Sequence, residues 1–88
     1  MRGVTAPNRC VLAPMVQDRA EHGVPTDFHM VHLGKFALGG AGIVFCEETA
    51  VEMRARKTYG CAGIYSDKHV PMYRRITEFL NKNNSLPA

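Results

Sequence analysis

The sequence predicts an α/β chain built on parallel strands. Two short apolar runs of strand length, residues 9–15 and 42–48, carry that reading. Each is followed by a loop and then by a helix-period pattern, so the order strand, loop, helix occurs twice. The composition supports an ordinary packed domain: 45% of the 88 residues are hydrophobic and 22% charged, so disorder is not the default.

The first strand runs from Arg9 to Met15, where Cys10, Val11, Leu12 and Ala13 suit a strand buried on both faces. Pro14 removes a ladder donor and marks its exit. Residues 17–25, "QDRAEHGVP", are polar and contain Gly23 and Pro25, so they form a loop. Thr26 or Asp27 then caps a helix carrying Phe28, Val31, Leu33, Phe36 and Ala37. "GGAG" at 39–42 closes it, because glycine ends a helix at little cost in the left-handed conformation. The second strand is "GIVFCEE", which terminates in the charges of Glu47 and Glu48. A long loop from Thr49 to about Tyr65 holds Arg54, Arg56 and Lys57 with Gly60 and Gly63. "SDKH" reads as an N-cap with an acid in the first turn, and the last helix runs to about Lys82. Its apolar residues Met72, Ile76, Phe79 and Leu80 fall at i, i+4, i+7 and i+8, on one face. Pro71 sits near its start, where proline is tolerated, and "NKNNSLPA" is a helix end and a tail.

Several function classes lose support. The net charge of +3 is spread along the chain without a basic run interleaved with aromatics, so no nucleic-acid partner is expected. No apolar span of about 18 residues exists, so no membrane partner is expected, and the polar start with Pro7 does not read as a signal peptide. Cys10, Cys46 and Cys61 are odd in number and widely spaced, and two lie in apolar, strand-like contexts. Reduced, buried thiols and a cytoplasmic location follow. Cys10 and Cys46 read as small core residues, not as a redox pair. His29 and His32 stand at i, i+3, but no carboxylate or cysteine nearby in sequence completes a metal site, so no metal is assigned. Glu47 and Glu48 end a strand, where acid–base chemistry is commonly placed, yet pairing of one with Arg54 or Arg56 is the plainer expectation. Arg54, Arg56 and Lys57 read as a solvated loop face ahead of a phosphate site. "GGAG" leads into a strand and not out of one, so it is no dinucleotide fingerprint.

Two parallel strands with one helix each leave strand edges open and apolar surface uncovered. A closed barrel of eight strands takes about 250 residues. Residues 1–88 therefore read as one partial domain, with no second domain.

"RGVTAPNRCVLAPM" resembles the opening of the old yellow enzyme family, in which a short lead-in enters the first barrel strand and an Ala/Ser-Pro-Met turn. "GVPTDFHMVHLGKFALGGAGIVFCEETAV" is similar to that family's first helix and second strand. "GCAGIYSDKHVPMYRRITEFL" is similar to its next loop and helix. The resemblance covers about Arg2 to Leu80. It implies the N-terminal βαβα portion of a TIM (β/α)8 barrel, incomplete as given, with FMN as cofactor and NAD(P)H as reductant. The implied reaction sends hydride from reduced flavin to an activated alkene such as an enone or enal. Residue by residue, it places Ala13, Pro14, Met15 and Val16 against the flavin, and Glu48 near its pyrimidine edge. Val16 stands where the family often has Thr or Cys, and Asp18 where one subgroup has a substrate-facing Tyr. The family's His-His or His-Asn pair that binds the substrate's activating oxygen, its flavin-side Arg and its phosphate site are implied on later strands, so no catalytic residue is assigned. The expectation is an oxidoreductase fragment, inactive alone. The competing expectation is a truncated, non-enzymatic chain that folds or associates with another chain through its open strand edges.

Overall fold

Two helices organise the chain, and both begin in the same way. In the computed structural model, which describes residues 2–88, the order is β1 (Val11–Leu12), α1 (Asp27–Leu38), β2 (Ile43–Val44), β3 (Thr49–Ala50), β4 (Ala62–Gly63), α2 (Val70–Lys82) and β5 (Leu86–Pro87). Thr26 precedes α1 in extended conformation, and its N–H donates to Nδ1 of His29 at 2.9 Å. Ser66 does the same ahead of α2: its N–H donates to Nδ1 of His69 at 3.1 Å across the short 3-10 turn Asp67–His69. A Glu or Gln usually makes this backward contact in a capping box; here a buried imidazole makes it twice. Pro71 falls in the first turn of α2, where its missing N–H has no helical partner to lose.

The α1 helix stops at Gly39, which stays right-handed at φ −75°, and the left-handed turn falls one residue later, at Gly40 with φ +94°. The chain then re-enters the sheet as β2. Parallel pairing sets Val11 beside Ile43 and Leu12 beside Val44. On the other side, Ile43 lies beside Leu86 and Val44 beside Pro87. The sheet order is β1-β2-β5, so β2 is central. The expected tail is therefore partly a third strand. Pro87 is tolerated there because β5 lies at the sheet edge. The expected long loop also contains structure: β3 and β4 pair in parallel as a separate two-stranded sheet, with a 3-10 turn at Met53–Ala55 between them.

The core lies between the helices and one face of the sheet. Leu33 and Ala37 of α1, Val44 of β2, and Ile76 and Leu80 of α2 are buried together. Leu12, Met30, Phe36 and Met72 pack around them. The helices approach closely at Gly34, where an added Cβ would stand 3.0 Å from the Phe79 ring. The opposite face of the sheet is uncovered, with Val11 50% and Phe45 39% exposed. This departs from the expectation of strands buried on both faces. Cys10 is likewise exposed and not a core residue, while Cys46 is half-buried, Cys61 is buried, and all three thiols are free. On α1, Phe28 and Val31 point away from the core. Phe28 sits under the Arg19 guanidinium instead, 5.2 Å from its ring centroid. No described helix is long and apolar enough to cross a membrane.

Leu80 is 2% exposed and closes the core from α2. Leu80→Ala should lower the unfolding free energy by about 2–5 kcal/mol. Leu38→Ala, at a position that is 67% exposed, should change it by no more than about 0.5 kcal/mol. Urea denaturation of the two variants checks both, and equal losses would contradict this placement of the core.

Candidate functional site

Because β1, β2 and β5 run in parallel, their C-terminal ends share one edge. Three segments meet there: Ala13–Val16, Phe45–Glu48 and Ala88. The chain is tied across this edge by Phe45 N–H to the Leu12 carbonyl at 3.2 Å and by Cys46 N–H to the Ala88 carbonyl at 2.7 Å.

Ala13, Pro14, Met15 and Val16 are all exposed. Among the described residues, the backbone N–H groups of Met15 and Val16 have no hydrogen-bond partner. The Gln17 carboxamide donates to the Met15 carbonyl at 2.9 Å and closes the turn on itself. This turn thus offers an apolar surface with two free backbone donors.

The two glutamates at the end of β2 turn in opposite directions. Glu47 is buried, with Oε1 2.8 Å from Nε2 of His29, and both side chains are 3% exposed. That contact is close but off the line of a good hydrogen bond, and neither atom has another partner among the described residues. Oε2 of Glu47 accepts the Gln17 N–H at 3.3 Å. Nδ1 of His29 accepts from Thr26 and so carries the lone pair, which leaves the ring proton on Nε2, facing Glu47. Glu48 is exposed and receives Lys57 Nζ at 2.7 Å; that contact holds the Lys57 ammonium above its usual pKa. The expected pairing with Arg54 or Arg56 is not what forms. Arg54 pairs with Glu52 at 2.6 Å, and Arg56 donates to the carbonyls of Met53 and Tyr59. The Glu47 partner stands 18 positions upstream on another element, a separation that local charge spacing does not reveal. His32 does not join His29 at the pair; it stacks on Phe28 instead, with centroids 6.4 Å apart.

The loop after β1 is fastened to the segment that ends in α2. Ala20 N–H donates to the Gly60 carbonyl at 2.9 Å, and Gly63 N–H to the Gly23 carbonyl at 2.8 Å. The Tyr65 hydroxyl donates to the His22 carbonyl at 3.1 Å. Asp18, left-handed at φ +56°, accepts the Thr58 hydroxyl, so this carboxylate serves the loop. Gly60 is required there: an added Cβ would lie 2.4 Å from the Asp18 carbonyl oxygen.

Sequence reasoning missed Tyr73. It lies three residues before Ile76 and seven before Leu80, on the same face of α2, and that spacing was the available signal. With Val44, Cys46, Thr49, Ile76 and Leu80 it lines a cavity of about 510 Å³ below the strand ends. Burial pushes the Tyr73 phenol up to about 12, against a hydrogen bond to Thr49 at 3.5 Å. Burial also pushes the Cys46 thiol up, while hydrogen bonds from the Thr58 hydroxyl and amide pull the Cys61 thiol down.

A parallel α/β unit that gathers its loops at the C-terminal strand ends is built as βα enzymes are. The model of the NADH:flavin oxidoreductase / NADH oxidase family matches residues 1–87, and the chain belongs to that family. An NADH:flavin oxidoreductase of Gibberella zeae is 39% identical over 84 residues, which cover 96% of this chain and 20% of that protein. An NADPH dehydrogenase of Bacillus cytotoxicus is 33% identical over 90 residues, covering 100% and 26%. The solved old yellow enzyme homologue from Zymomonas mobilis superposes with a TM-score of 0.81 at 29% identity, covering 97% and 24%. The chain thus spans about a quarter or less of the length of these relatives.

The family uses FMN with NAD(P)H as reductant. The strand-end turn fits one side of such a cofactor. A flat ring with acceptors at its edge suits exposed apolar side chains beside two unpaired N–H donors, and Lys57 neutralises the Glu48 carboxylate nearby.

Tyr73 sets a pH dependence. Its pKa is raised in the folded state, from 10.0 to about 12. Its contribution to stability is therefore complete below the lower value and is lost as pH climbs through the upper one. Wild-type protein should lose stability more steeply than Tyr73→Phe across that window. A Tyr73 phenolate midpoint near the ordinary 10.0, read from the ultraviolet difference titration of the two proteins, would contradict the burial of this hydroxyl.

Proposed function

We propose that residues 1–88 form the N-terminal βαβα portion of a TIM (β/α)8 barrel, followed by the start of its third strand. The enzyme it belongs to is an FMN-dependent NAD(P)H oxidoreductase acting on activated alkenes. The observation that carries this reading is the exposed Ala13–Val16 turn at the C-terminal end of β1, in a chain matched by the family over residues 1–87. When bound, FMN reduced by NAD(P)H supplies the hydride for the β-carbon of an α,β-unsaturated carbonyl compound such as an enone or enal.

The residues of this chain bind and orient. Ala13 and Pro14 are small enough to let a flat ring approach the backbone, while Met15 and Val16 supply apolar contact and exclude water. The free N–H groups of Met15 and Val16 are donors for the polar edge of the ring. Val16 brings no side-chain donor, so polar tuning from this position falls to the backbone alone. Glu48, paired with Lys57, brings a balanced charge to the neighbouring strand end. The free thiols fit work in the cytoplasm.

A second reading has one observation in its favour: in the sheet order β1-β2-β5 the outer strands β1 and β5 each pair on one side only among the described residues. Under it the chain is non-enzymatic by itself and persists by pairing its edge strands β1 and β5 with another chain, including a second copy of itself.

Fluorescence titration with FMN tests the first reading. The emission of FMN should be quenched on binding, and Val16→Glu should weaken binding at least about tenfold, or about 1.4 kcal/mol. FMN that stays free at high protein concentration would contradict this reading of the turn. Sedimentation velocity in the same buffer tests the second: edge pairing predicts mass that grows with concentration, and a monomer throughout contradicts it.

A further inference from the structure

We propose that Glu47 is a positioning residue that fixes the Ala13–Val16 turn relative to helix α1. The inference rests on reading that turn as the flavin-facing one. Glu47 is the only Asp or Glu among the described residues with a buried side chain, and it reaches two elements besides its own. One oxygen faces Nε2 of His29, in the first turn of α1, at 2.8 Å, and the other accepts the Gln17 N–H at 3.3 Å. Gln17 is the residue directly after Val16, and its side chain holds the Met15 carbonyl at 2.9 Å. His29 is anchored in turn by the Thr26 N–H on Nδ1 at 2.9 Å.

The result is a continuous path: Thr26 backbone, His29 ring, Glu47 carboxylate, Gln17 backbone, then the turn. Each link orients the next. Because Thr26 fixes the histidine tautomer, Nε2 presents a proton and Glu47 must answer with an acceptor. Because Oε2 accepts the Gln17 N–H while Oε1 stands 2.8 Å from Nε2 of His29, off the line of a good hydrogen bond, a rotation of the end of β2 releases Gln17 and withdraws the acceptor nearest the ring proton. Glu48, one residue on, is exposed and tied to Lys57, so only Glu47 can do this. Among the described residues, the Ala13–Val16 turn makes no side-chain hydrogen bond except with its neighbour Gln17, whose N–H is in turn held by Glu47.

A carboxylate can satisfy two donors here, and an amide can satisfy one. Glu47→Gln keeps the volume but offers a single oxygen, so either the Gln17 amide or the His29 ring proton loses its acceptor. Glu47→Ala removes both. Amide hydrogen exchange by NMR on the 88-residue chain should therefore show Gln17 exchanging at least about tenfold faster in Glu47→Ala, while Ile76 and Leu80 in the core of α2 keep their wild-type rates. In Glu47→Gln, either Gln17 is accelerated or the Nε2–H signal of His29 is lost. Retention of both in Glu47→Gln would overturn the proposal. So would a Glu47→Ala protein in which Gln17 speeds up only in step with Ile76 and Leu80, the mark of general loosening. If Glu47→Ala does not fold, Glu47→Gln alone decides. FMN titration of the same proteins separates this from the flavin reading. Wild-type chain that never quenches FMN defeats that reading, whereas the Gln17 and His29 signals still stand or fall by themselves. Where wild type does bind, Glu47→Gln should weaken FMN binding at least about fivefold with the α2 amides unchanged.

Discussion

A parallel strand cannot reach its neighbour through a tight turn; the chain has to travel back along the sheet before it can pair again. In this protein that constraint is met twice, by α1 between β1 and β2 and by the longer excursion through α2 to β5. Everything else follows from it. The helices cover one face of the sheet and bury Val44 between Leu33, Ala37, Ile76 and Leu80. The three strands point the same way, so their C-terminal ends and the residues after them collect at one edge. An apolar exposed turn, a pair of glutamates and a knot of loop hydrogen bonds are neighbours for that reason alone.

The histidines show how local and long-range structure are joined. Each helix is started by a Ser or Thr, an Asp and, three residues after the cap, a His whose ring turns back onto the capping backbone. Unlike a glutamate in the same place, an imidazole has a second polar atom on its far side. His29 turns it to Glu47 at the end of β2, and His69 turns it to the His22 carbonyl in the loop after β1, at 3.3 Å. A helix cap thereby becomes a tie between elements. The two βα units use the same device with different targets, and together they fasten the loops that frame the strand ends.

Much of the fold was legible in the sequence because its signals are local. Gly and Pro punctuation, the cap residue Thr26, and the spacing of Met72, Ile76 and Leu80 locate α1 and the end of α2 within a residue or so of where they lie, while Ser66 caps the 3-10 turn Asp67–His69 that precedes α2 at Val70. The unread parts depend on distant partners. Leu86 and Pro87 carry no strand pattern of their own and pair only because β2 offers an open edge. Thr49–Ala50 and Ala62–Gly63 are likewise too short to announce themselves and are strands only by pairing with each other. At the candidate site, the Ala13–Val16 turn comes from the resemblance alone, and in the structure these four residues are exposed beyond the end of β1. The roles of Glu47 and Glu48 could not be read, since both were measured against nearby arginines while their partners are His29 and Lys57. Burial separates the two glutamates, and burial is a property of the folded chain.

The β2 strand is paired in parallel on both sides, so that three strand ends are presented together at one edge. Inter-strand nuclear Overhauser contacts in the 88-residue chain test it most directly. Parallel pairing on both sides gives contacts between Val11 and Ile43 and also between Ile43 and Leu86, the two registers that flank β2. A spectrum with the first contact and no trace of the second, with residues 86–88 averaging as a free tail, would contradict it.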